Sequence, residues 1–125
     1  MDATSKWLIA TALEEIHRTI DSLPPHLQAH ARSLPVVLDP RPGPGWIKDG
    51  WPPDLLGLFS GTPLGSNFEG DSIVPPTILI FYENLWDYSE AVEETYLEEV
   101  HVTYLHELGH YLGLEESDLE HRDLL

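Results

Sequence analysis

A chain of 125 residues is sized for one domain, residues 1–125, around one modest core. It has no cysteine, which excludes disulfides and thiolate metal sites. Its 22 acidic side chains against 6 Lys and Arg give a formal net charge of −16. Such a surface repels phosphate backbones, so nucleic acid is not an expected partner, whereas cations and basic peptides are attracted.

Residues 1–10 carry one lysine and no long apolar run, so no signal peptide is expected. No later run approaches the roughly 18 apolar residues of a membrane span. With no cysteine, a cytoplasmic location is the expectation. Ser5 is placed to cap a first helix reaching about Ser22, with Ile9, Leu13, Ile16 and Ile20 as its inward stripe. Pro24 and Pro25 stop it, and residues 26–33 read as a short second helix with Leu27, Ala31 and Leu34 inward. His26 and His30 lie four apart there, but no glutamate follows His26 as a metalloprotease motif requires, and metal binding by them is not expected.

Residues 35–38 read as a strand, and 41–53 as a Pro/Gly loop whose Trp46 and Trp51 pack it onto the core. Residues 55–60 are a second strand, 64–76 an exposed connection, and 77–82 the strongest strand signal. That last run is apolar on both alternations, so it should be covered on at least one face. Asp87 and Glu90 are spaced as a capping box for a long helix ending at Leu112. Val92, Tyr96, Val100, Thr103 and Leu108 are its expected inward contacts, and Glu90, Glu93, Glu94, Glu98 and Glu99 its solvated face.

Late in that helix stands His106-Glu107-x-x-His110. At about 3.6 residues per turn, positions i and i+4 are neighbours, so both imidazoles can reach one metal ion. Glu107, rotated by about 100°, can lean on a water at that metal. Gly113 is placed to end the helix in a left-handed turn, and Glu116 follows three residues later as a third ligand. Glu115 and Asp118 are close enough to compete for that role. Two histidines, one carboxylate and an open fourth position suit zinc, although cobalt, nickel or manganese could fill the same set. With Glu107 as general base, the chemistry implied is hydrolysis of a peptide or amide bond. A neighbouring edge strand, 55–60 or 77–82, could align an extended peptide or protein substrate. Tyr104, Tyr111 and His121 are oxyanion candidates, each more simply read as packing or surface; His101 falls off the ligand face.

Over residues 102–116 the chain resembles the zincin metallopeptidases, most closely the short bacterial minimal zincins with the pattern His-Glu-x-x-His-x-x-Gly-x-x-Asp. The resemblance implies His106 and His110 as zinc ligands, Glu107 as general base and Gly113 as the turn. The family's aspartate falls at Glu116, which keeps a carboxylate on a longer arm. It also implies an α+β fold, with a small mixed sheet packed against N-terminal helices and the long active-site helix. The competing expectation is a zinc-binding module that holds a partner protein with little or no catalysis; a third is hydrolysis of a non-peptide amide. Neither substrate identity nor oligomeric state is encoded in these patterns.

Overall fold

The computed structural model describes residues 1–64 and 74–113. Among these, the chain order is α1 (Ala3–Ser22), α2 (Pro25–Ser33), β1 (Val36–Asp39), α3 (Pro44–Lys48), β2 (Gly57–Ser60), β3 (Thr77–Phe81), α4 (Tyr82–Tyr88) and α5 (Glu93–Leu112). The sheet order is β1-β3-β2. β1 pairs β3 in parallel, from Val36 opposite Ile78 to Asp39 opposite Phe81. β2 pairs β3 antiparallel, from Gly57 opposite Ile80 to Ser60 opposite Thr77. A small mixed sheet with helices packed on it is the α+β arrangement expected. No helix among the described residues is long and apolar enough to cross a membrane.

β3 is central because both of its faces are apolar. Ile78 and Ile80 enter the main core with Leu8, Ile16, Tyr96 and Val100. Leu79 and Phe81 join Leu58 on the other face, under Trp46 and Leu55. Each such side chain taken out of water contributes about 1.5–3 kcal/mol. Trp46 therefore packs the loop down as expected, within the short helix α3, whereas Trp51 stays 40 % exposed. The loop is tied further by buried Asn84, whose Nδ2 donates to the carbonyls of Pro53 and Leu55, both at 2.8 Å. Its Oδ1 accepts from Arg41 at 2.6 Å.

Two helix starts differ from the sequence reading. α1 is capped by Asp2, whose carboxylate accepts from the Ser5 N–H at 2.7 Å, so Ser5 is inside the helix. Its buried stripe is Leu8, Ala12, Ile16, Thr19 and Ile20, and Leu13 is 38 % exposed. The Thr19 hydroxyl lies 2.9 Å from the Glu15 carbonyl and 2.7 Å from His101 Nδ1, which satisfies it within the α1–α5 contact.

The second difference is a break. Asp87 does not cap the long helix; it lies in α4 and accepts from Arg41 at 2.6 Å. Glu90 and Ala91 then adopt φ of 54° and 58°, a left-handed turn that costs non-glycine residues about 1–2 kcal/mol each. Their N–H groups are satisfied by the carbonyls of Asp87 and Trp86. α5 begins only at Glu93, and Val92, expected inward, is 49 % exposed. Tyr96, Val100, Thr103 and Leu108 are buried as expected, joined by Tyr104, Leu105 and Tyr111.

Candidate active site

The last two turns of α5 bring His106 and His110 together, their Nε2 atoms 3.0 Å apart and their ring planes at 83°. Both rings lie on the solvent side. Glu107 points elsewhere. It is buried, 7 % exposed, against β2, and its Oε1 accepts the Phe59 N–H at 3.1 Å. Ligand atoms of the three side chains all lie within 4.8 Å of one another. Burial pushes the Glu107 carboxyl above its ordinary range; the adjacent His110 and His106 and the Phe59 N–H oppose that rise without cancelling it.

The approach of β2 to α5 depends on a missing atom. A Cβ at Gly57 would lie 2.5 Å from Thr103 Cγ2 and 3.2 Å from the Leu79 carbonyl oxygen. Glycine therefore lets the strand settle onto the helix, which carries the Phe59 N–H to the Glu107 carboxylate. An open cleft of about 500 Å³ runs along this seam, lined by Trp51, Leu55, Phe59, Pro63, His106, Glu107 and His110 among others. β2, not the central β3, is the sheet edge at the cleft.

Gly113 ends α5 at φ 74°, its N–H bonded to the carbonyls of Gly109 and His110, as its spacing implied. Glu116, Glu115, Asp118 and His121 lie outside the described residues. The family model described as zincin-like metallopeptidase matches residues 31–124, three-quarters of the chain. The chain belongs to the zincin-like metallopeptidase family. A comparison with curated proteins returns no match.

In a zincin-like metallopeptidase the donor set should suit zinc, and here it does. Two ligand nitrogens on a tetrahedral zinc stand about 3.3 Å apart, close to the 3.0 Å separating the two Nε2 atoms. Among the described residues His106, Glu107 and His110 are the one group of three or more metal-ligating side chains. Tyr104 is fully buried in the core with its hydroxyl unpartnered and pushed by burial up to about 12, which removes it as an oxyanion candidate. Tyr111 packs on Phe59 at 5.8 Å. Sequence reasoning missed Gly57 and the Phe59 N–H; the one available signal was a glycine inside an apolar strand, which marks close backbone approach.

Proposed function

We propose that this zincin-like metallopeptidase is a zinc-dependent peptidase in which His106, His110 and Glu116 hold the metal and Glu107 is the general base. The observation that carries this reading is a buried carboxylate fixed beside two converging imidazoles in an open cleft. Bound zinc would supply Lewis acidity at the scissile carbonyl and acidify a water. Glu107, held through Oε1 by Phe59, takes that water's proton and returns it to the leaving amine. Its raised affinity for protons suits both halves of the transfer. Just before β2 the Leu56 carbonyl accepts from the Phe81 N–H, so by alternation the backbone groups of Gly57 and Phe59 face away from β3. An extended peptide laid along that rim would pair with the Gly57 N–H and the Gly57 and Phe59 carbonyls, the Phe59 N–H being held by Glu107.

Zinc content and peptide hydrolysis of purified variants test the reading. His106→Ala and Glu116→Ala should lose zinc, while Glu115→Ala and Asp118→Ala keep it. Glu107→Gln should keep zinc and lose about 10²–10⁴-fold in hydrolysis. Hydrolysis at the wild-type rate by Glu107→Gln would end the general-base assignment. Stoichiometric zinc with no cleavage across a broad peptide library would favour the zinc-binding interaction module instead.

A further inference from the structure

The cleft continues on the other side of His106 and Glu107. A second hollow of about 470 Å³ shares Leu55, Gly57, His106 and Glu107 with the first, then runs out past Thr103 to Pro52, Asp54 and Tyr88. The two halves differ in chemistry. Apart from the motif side chains, the first has apolar walls, Trp51, Phe59 and Pro63 among them. The second is lined by Leu55 and Leu56 together with an exposed carboxylate and an exposed phenol, Asp54 and Tyr88.

Asp54 has no cationic partner among the described residues. Arg41 lines an adjoining hollow with Asp54. Arg41 is already engaged: 2.6 Å to Asp87, 3.3 Å to Glu83 and 2.6 Å to Asn84 Oδ1. Two carboxylates and one amide oxygen thus already occupy the guanidinium, which leaves the Asp54 carboxylate uncompensated. Apolar side chains, an uncompensated carboxylate and an aromatic ring lining one hollow match a long side chain with an aliphatic stem and a cationic head.

We infer that this second hollow is the subsite for an arginine or lysine side chain on one side of the scissile bond, with Asp54 as its counter-charge. The inference rests on the peptidase reading and names the substrate class for it: peptides basic at one position flanking the cut. The net charge of −16 acts in the same direction by drawing basic peptides toward the surface.

The test compares synthetic peptides carrying arginine, lysine, norleucine or glutamate at each position flanking the cut. Zinc-loaded wild type, Asp54→Asn and Asp54→Lys are assayed for kcat/KM. Binding of the same peptides to zinc-loaded Glu107→Gln, with and without Asp54→Asn, is measured by calorimetry. The expected result is a preference of about five- to tenfold for arginine or lysine over norleucine at one position. Asp54→Asn should abolish that preference, and Asp54→Lys should turn it toward glutamate. Cleavage without a basic preference, or with one unchanged in Asp54→Asn, overturns the subsite and leaves the peptidase reading standing. Asp54-dependent binding of basic peptides without cleavage by wild type does the reverse.

Discussion

Two tyrosines on α5 are equally sealed from water and differ in one bond. The Tyr96 hydroxyl donates to the Leu8 carbonyl at 2.8 Å, whereas the Tyr104 hydroxyl has no partner. Tyr96→Phe should therefore cost about 1 kcal/mol, and Tyr104→Phe should be neutral or stabilising, in urea melts of the same preparation. At Glu107 the same burial acts on a charge. Its carboxyl titrates above the ordinary 4.5, so between the two values the folded chain keeps a proton that the unfolded chain releases. Stability of the metal-free protein should then fall as pH rises from 4.5 through the raised value, and level off above it. Glu107→Gln should lack that component and be the more stable form at pH 7, read as the difference between paired melting curves in chelator. His106, His110 and Gly113 were legible in the sequence because helix period and a left-handed cap are local properties. The Phe59 bond to Glu107 spans 48 residues of chain and had no local signature.

At the level of elements, β2 and α5 form the working unit, and Gly57 sets their spacing. Gly57→Ala should push the strand off the helix, costing about 1–3 kcal/mol as overpacking. Because the Phe59 N–H would withdraw from Glu107, kcat should fall more than zinc content, measured side by side. Equal losses of both would mean that the variant merely unfolds. β3 was readable from its unbroken apolar run, since a strand covered on both faces needs no alternation. The cap at Asp2 was not separable from Ser5, because both residue types cap and only the backbone geometry chooses between them. Nor was the turn at Glu90 and Ala91, where no glycine, asparagine or proline announces a positive φ.

Across the whole molecule, charge is the dominant imbalance. Five side-chain ion pairs occur among the described residues, most of them well exposed, so solvent and salt leave each with little net effect. Self-repulsion from a formal −16 is spread over the entire surface and should outweigh them. Raising sodium chloride from about 10 mM to about 150 mM should then increase stability, by roughly 3–5 °C in Tm for each 1 kcal/mol relieved. A fall in Tm over that range would mean that the pairs matter more than the repulsion. The bend between α4 and α5 has a further consequence at this scale. An unbroken rod from Asp87 to Leu112 would measure about 39 Å at about 1.5 Å per residue. A body of this chain length has a radius of gyration of only about 14 Å. Such a body is roughly 36 Å across, which the straight rod would already exceed; broken at Glu90 and Ala91, α5 alone is about 30 Å long and stays packed on β2.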